Sequence, residues 1–327
     1  MLAMNKKYKV AILKGGNSDE HPISIKSGEQ LKNRIDGYQN VTDIMVDRTG
    51  EWFVQGVPYD KRNLVRDFDM VINTMKGGDG ENGRLTKYLD TFGVKHNNAS
   101  TFGSMLSHNK HEFKNFLKRH EIKTPHHVLI DSEGDVELQK RELHHKMFLP
   151  AIVKPVSNGS SIGVFLAYNF DDMKRFVDWI LKRDRFALVE EYIEGLDVSV
   201  LTAKDFRGKE LYSFIPVGVD TPDIINYDHK FNNTHSFFPI HNLSKDQKEM
   251  IEDIAKSVHA KLDLDSLAMT DFRVHPKRGV YALETNTIPS FEDASIYDES
   301  LKMVGVQEDE LVDHIINLAL NKRKIGF

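Results

Sequence analysis

The stretch SLAMTDFRVHPKRGVYALETNT holds the residues best placed to do chemistry. Two β-rich runs flank Pro276-Lys277-Arg278-Gly279, a turn signal of hairpin length. With those four residues as the loop, position 275 faces 280, Asp271 faces Glu284 and Met269 faces Asn286. Period-two alternation then puts Met269, Asp271, Arg273, Glu284 and Asn286 on one side. Two opposed carboxylates repel each other, and two arrangements would relieve them. Arg273 could neutralise Asp271 as a structural ion pair, or a divalent cation could be held by Asp271, Glu284 and the Asn286 carbonyl. Oxygen-only donors select magnesium over zinc, and magnesium with few protein ligands commonly also binds nucleotide phosphates. Spacing alone leaves both open.

A phosphate site has its own candidates. KPVSNGSSIGV puts Lys154 at a strand end and follows it with a loop rich in glycine and hydroxyls. Successive backbone N–H groups with Ser160 and Ser161 could cradle a phosphate, although a glycine-serine loop is also an ordinary flexible turn. It is not a P-loop, because no lysine and hydroxyl pair follows the second glycine. GGNSDEHPIS and GGDGENG could equally be turns entering helices. His126-His127 and His144-His145 are adjacent pairs, wrongly spaced for one metal on a helix face, and read as solvated surface. With no G-x-S-x-G elbow and no cysteine, serine-elbow and thiol hydrolases drop out.

The elements that must position these groups follow from periodicity. In the first hundred residues KVAILKGG and MVINTM are strands that run into glycine turns, with a helix from about Ile23. That pattern predicts a parallel, doubly wound unit with ligands at the strands' carboxyl ends. A helical stretch near 104–119 follows. LPAIVKP and IGVFLAY then form a hairpin, Asp171 to Arg183 a helix, and FALVEEYIEG a strand. Ser244 with Gln247 is a capping box for a helix from Lys245 to Leu262. Three units of roughly a hundred residues result.

The 327 residues carry 44 Lys+Arg against 49 Asp+Glu, a net charge of −5, with 40% hydrophobic residues. That balance predicts a globular enzyme or binding protein with a sizeable core and no nucleic-acid partner. No apolar run approaches a bilayer span and MLAMNKKYKVAIL lacks a signal-peptide core, so neither membrane nor export is expected. The absence of cysteine fits a cytoplasmic location.

Seven segments, in order, resemble the D-alanine–D-alanine ligase family of the ATP-grasp superfamily. They are GGNSDEHPISIKSG, GGDGENG, HNKHEFKNFLKRHEIKTP, VKPVSNGSSIGV, ALVEEYIEG, NYDHKF and the hairpin ending in LETNTIPS. The resemblance implies an α/β and α+β, three-domain ATP-grasp architecture. Residues 1–103 would form a Rossmann-like N-terminal domain, 104–200 the central subdomain and 201–327 the C-terminal subdomain with the metal site. It implies an ATP-dependent ligase for peptidoglycan precursors, acting through an acyl phosphate with ATP and magnesium (or manganese), and possible homodimers.

By motif, Lys110 and Lys154 would contact ATP phosphates, with Ser160 and Ser161 in the loop over them. Glu190 would accept from the adenine amino group, Glu191 and Ile193 would border the base, and Asp197 would hold the ribose. Asp271, Glu284 and Asn286 match the magnesium ligands. Glu20 matches the acid that orients the first substrate's ammonium, Lys230 lies in a mobile closing loop, and Ser295 matches the hydroxyl near the second substrate's carboxylate.

Four positions depart from the pattern. Met269 replaces the arginine two residues before the first metal aspartate, Ser290 replaces a glycine, Phe231 a tyrosine and Lys76 a histidine. Loss of one oxyanion donor costs on the order of a hundredfold in rate. These departures leave open a D-alanine–D-lactate or other amino-acid ligase, and a nucleotide-binding protein without ligase chemistry.

Overall fold

In the computed structural model of the chain, residues 8–35, 40–220, 236–240 and 243–322 are described. Three sheets follow one another along the sequence. The first contains β1 (Lys9–Gly15), β2 (Asn40–Val46), β3 (Trp52–Val54), β4 (Val57–Pro58) and β5 (Met70–Asn73), in the order β4-β3-β2-β1-β5. Strand β1 pairs in parallel with β2 and β5, as its glycine-ended strands predict, but β3 and β4 extend the edge antiparallel. Alternate residues of β1 serve opposite cores. Val10 and Ile12 pack with α1 (His21–Ile35), while Ala11 and Leu13 pack toward α2 (Arg84–Thr91) through Leu85 and Leu89.

The expected helix near 104–119 is two helices, α3 (Thr101–His108) and α4 (Lys110–Arg119). Asn109 separates them, because its side chain accepts from the amides of His111 and Glu112 and caps α4. The second sheet has the order β6-β9-β7-β8, all antiparallel: β6 (His127–Asp131), β7 (Ala151–Pro155), β8 (Phe165–Ala167) and β9 (Phe186–Glu191). Helices α5 (Val136–Lys146) and α6 (Phe170–Leu181) cover one face through Leu143, Met173, Val177 and Ile180. Val153 and Val189 point to those helices, so Lys154 and Glu190, one residue on, point to the other face.

The third sheet contains β10 (Leu196–Lys204), β11 (Leu211–Ser213), β12 (Val217–Asp220), β13 (Ser236–Pro239), β14 (Leu267–His275) and β15 (Gly279–Asn286), ordered β13-β12-β10-β14-β15 with β11 on β10. Helix α7 (Lys245–Lys261) and α4 cover one face through Ile251, Ala255, Val258, Phe113 and Leu117. The predicted capping box of Ser244 and Gln247 is present. On the opposite face Leu201, Ala203, Leu267 and Met269 form an apolar half. It packs against the first sheet, α8 (Ile296–Met303) and the final helix α9 (Glu308–Asn321). The polar half of that face is left for the site. Among the described residues no helix is long and apolar enough to cross a membrane.

Candidate functional site

The β14–β15 hairpin pairs Met269 with Asn286 and Asp271 with Glu284, as expected. The loop, however, is Pro276 to Arg278, and His275 pairs with Gly279 rather than with position 280. A β-bulge restores the register: Phe272 pairs with Ala282, so Leu283 is the extra residue. Without it Glu284 would share the core-facing side of Val280 and Ala282. With it, Asp271, Glu284 and Asn286 share the opposite side. Gly279 adopts φ 84°, a left-handed conformation that suits glycine as the loop closes.

Neighbouring groups offset the opposed carboxylates. Asp271 accepts from Ser199 Oγ at 2.6 Å and from Asn286 Nδ2 at 3.3 Å. Glu284 Oε2 lies 3.1 Å from Lys110 Nζ, which also donates to the Asn158 carbonyl at 2.8 Å. Arg273 is directed elsewhere: it pairs with Asp197 at 2.6 Å and donates to the carbonyls of Ile193 and Gly195. Two carboxylates and one amide on one sheet face form an oxygen donor set that fits a hard divalent cation. Ligation by Asn286 Oδ1 requires its amide to turn from the orientation that presents Nδ2 to Asp271. Among the described residues no three histidines, aspartates or glutamates cluster for a metal, so the amide oxygen and water must complete this set.

Across the cleft, Lys154 Nζ lies 2.5 Å from Glu190 Oε1, and Lys114 Nζ lies 2.9 Å from Glu190 Oε2. Burial opposes ionisation of Glu190, but Lys114 and then Lys154 outweigh it and hold the carboxyl down at about 2. Glu191 turns outward to Arg278 at 2.6 Å, and Ile193 is buried. After β7, Ser160 and Ser161 adopt φ 50° and 59°, and the Ser160 hydroxyl donates to Glu20 Oε1.

Glu20 is itself buried at the start of α1. A Cβ on Gly77 or Gly159 would collide with its carboxylate, so both glycines permit close backbone approach. Nearby, burial raises the Glu81 carboxyl above its usual range, opposed by Lys76 and reinforced by Glu20. Glu81 accepts from the Gly77 amide at 2.7 Å. A narrow cleft is lined by Glu81, His108, Lys110, Asn158, Glu284 and Asn286.

Residues 116–317, more than half the chain, match the family model described as the D-ala D-ala ligase C-terminus. The chain belongs to the D-alanine–D-alanine ligase family. It is 29% identical to the D-alanine–D-alanine ligase of Christiangramia forsetii, over 97% of this chain and all of that protein. Its fold is similar to that of the VanG D-Ala:D-Ser ligase of Enterococcus faecalis, with a TM-score of 0.83 and 20% identity over 96% of this chain and 100% of that one. The Bacillus anthracis D-alanine–D-alanine ligase complexed with ATP is similar at a TM-score of 0.78 and 20% identity, covering 98% of this chain and 100% of that chain.

The remaining positions taken from the D-alanine–D-alanine ligase pattern divide clearly. Met269 lies on the strand face of Asp271 but packs in the apolar half, in one cluster with Val10, Ile12, Phe291 and Tyr297. Ser295 caps α8 by accepting from the Asp298 amide, and its hydroxyl donates to the Ser290 carbonyl at 3.0 Å. Lys230 and Phe231 lie outside the described residues. Sequence reasoning missed Ser199 and Lys114, both in contact with site carboxylates. The signal for Lys114 is its place four residues after Lys110, on one helix face. His127 corrects the surface reading of the histidine pairs. It is buried against His111, and burial followed by the charge of Lys114 pulls it down to about 3. His126, His144 and His145 are exposed.

Proposed function

We propose that this D-alanine–D-alanine ligase family member joins two D-alanine molecules at the expense of ATP, for peptidoglycan precursor synthesis. One observation carries the reading: the loop whose Ser160 donates to Glu20 also lines, through Asn158 and Gly159, the cleft that holds Lys110, Glu284 and Asn286. Glu20 gives the first D-alanine's ammonium a buried anion, oriented by Ser160. The first D-alanine's own carboxylate attacks the terminal phosphorus of ATP, giving D-alanyl phosphate and ADP. The second D-alanine's amine then attacks the carbonyl carbon, and phosphate leaves with the dipeptide formed.

Lys110 and Lys154 serve the phosphates by exchanging their present carboxylate partners for them, under the loop of Ser160 and Ser161. Glu190 accepts from the adenine amino group, with Glu191 and Ile193 beside the base. Asp197, fixed by Arg273, faces the ribose. Asp271, Glu284 and Asn286 would hold a magnesium or manganese ion, which when bound neutralises polyphosphate charge. Ser290, through its N–H, and Ser295 serve the second substrate, with Lys230 and Phe231 completing that side. Closure over the site keeps water from the acyl phosphate. A division into three units supports this arrangement in outline, one unit per sheet, with the boundary expected at 200/201 moved ahead of β10, because Leu196–Lys204 lies wholly in the third sheet.

Met269 motivates a second reading that changes only the acceptor. The position where the family pattern places a cation is apolar and packed into the core, and with Phe231 in place of a tyrosine this gives D-lactate or another amino acid as the alternative acceptor. D-alanine-dependent ADP release tests the main reading, with Glu20→Gln as its control. The proposal expects release that needs D-alanine and falls at least about a hundredfold in the variant. Release indifferent to D-alanine would overturn it.

A further inference from the structure

Lys114 is a fully buried ammonium that the reaction above does not use. It lies one turn after Lys110 on α4, and it is 0% exposed. Its Nζ has two polar contacts, Glu190 Oε2 at 2.9 Å and Thr124 Oγ1 at 3.1 Å. Glu190 therefore carries one ammonium on each oxygen, Lys114 on Oε2 and Lys154 on Oε1. The two lysines differ in what surrounds them. Lys154 stands at the end of β7, where the chain enters the loop of Ser157 to Gly163, and can move to an arriving phosphate. Lys114 is enclosed on all sides, so releasing Glu190 would leave a buried charge unpaired.

We propose that Lys114 is a positioning residue for nucleotide-base selection, holding Glu190 ionised and fixed so that Oε1 accepts from the amino group of a 6-aminopurine once Lys154 moves to the phosphates. This rests on the reading that Glu190 meets the base. An ionised carboxylate accepts from a 6-amino group and repels the 6-oxo group of hypoxanthine or guanine. Without Lys114, and with Lys154 moved to the phosphates, burial favours the protonated acid, which can donate to a 6-oxo group. Burial already pulls the Lys114 ammonium down to about 8, in keeping with a charge kept only by its partner.

The test compares ATP with ITP in D-alanine-dependent nucleotide cleavage by the full chain, for wild type, Lys114→Met, Lys114→Arg and Glu190→Gln. Lys114→Met is expected to lower the ATP-over-ITP preference in kcat/KM by about tenfold. Lys114→Arg, which keeps the charge, should restore most of it, and a merely structural lysine would leave the ratio unmoved. If Lys114→Met does not fold, Lys114→Gln carries the same expectation. A ratio that falls in Glu190→Gln but stays at the wild-type value in the Lys114 variants overturns the inference alone. A ratio unchanged in Glu190→Gln as well overturns the base reading, and the inference with it.

Discussion

Replacing Glu284 by glutamine keeps the side chain's size and removes one of the two carboxylates that face each other on β14 and β15. If these residues hold the divalent cation, Glu284→Gln lowers magnesium-dependent ATP turnover by two orders of magnitude or more, on the order of what one lost electrostatic partner costs. The fold survives, since Lys110 retains the Asn158 carbonyl. Turnover at the wild-type rate would remove the metal assignment. Buried histidines set the acid limit of stability. Burial lowers His259 to about 4 and His127 to about 3, against 6.5 for an ordinary imidazole. Between about pH 6.5 and 4 the unfolded chain therefore binds protons that the folded chain refuses, and stability falls as pH falls. His259 alone contributes about 1.4 kcal/mol per pH unit across that window. Glu190, held at about 2 against an unfolded 4.5, adds a further loss as pH falls from 4.5. Calorimetric melting temperatures should decrease as pH falls from about 6.5 to about 4, and a flat profile across that window would contradict this assignment. At this scale the shared face of Asp271, Glu284 and Asn286 was legible because a loop one residue too long and an unseen bulge at Leu283 offset each other. Lys114 and His127 were not, because a charge or an imidazole reads as solvated until tertiary packing encloses it.

The decisive element is the bulged hairpin. The expected four-residue loop and the observed three-residue loop differ by one position, and Leu283 takes up the difference, so the site pairing was reached in spite of the wrong loop. Nothing in the sequence marks Leu283 as extra, since a bulge is fixed by two cores claiming alternate residues. Pairing Leu283 in a regular ladder would turn Glu284 toward the core, whereas deleting it makes Glu284 the neighbour of Ala282 and leaves it opposite Asp271. The deletion variant should therefore fold and keep magnesium-dependent ATP turnover, and Leu283→Ala, which keeps the residue count, should cost no more than about 1–2 kcal/mol. A folded deletion variant without ATP turnover would contradict this account of the register. Helix α1 links the two sides proposed for the substrates. Its first turn follows Glu20, and Lys26, Ser27, Gln30 and Arg34 bind the segment from Phe291 to Asp293. Arg34 also pairs with Glu308. Arg34→Gln should raise the KM for the second D-alanine by about tenfold and that for the first much less, because it loosens the Ser290–Ser295 segment while leaving Glu20 in place. Equal effects on both would contradict the link. The capping box of α7 was legible from two residues. The break at Asn109 was missed because apolar spacing runs through it.

Over the whole molecule, the first and last parts of the chain share one core. Val10, Ile12, Met70 and Ile72 of the first sheet pack in one cluster with Leu311, Val312, Ile315 and Ile316 of α9. Periodicity showed amphipathic elements and their approximate order, and the seven motifs in sequence showed the family. Neither carried the information that the last helix returns to the first sheet, since that depends on which apolar faces remain uncovered after the sheets form. Ile315→Ala should destabilise the protein by about 2–5 kcal/mol and lower one shared transition for the first sheet and α9. Separate transitions would contradict a common core. The same packing places Glu20, from the first sheet's end, within reach of the second sheet's serine loop and the cleft that leads to the third sheet's carboxylates. Joining two D-alanines requires that convergence, and it is tested most directly by mass spectrometry of the products formed from ATP, magnesium and D-alanine, with and without D-lactate. The expected result is D-alanyl-D-alanine from D-alanine alone, in amounts equal to ADP and phosphate. ATP binding with no D-alanine product, or an ester formed only with D-lactate, would contradict it.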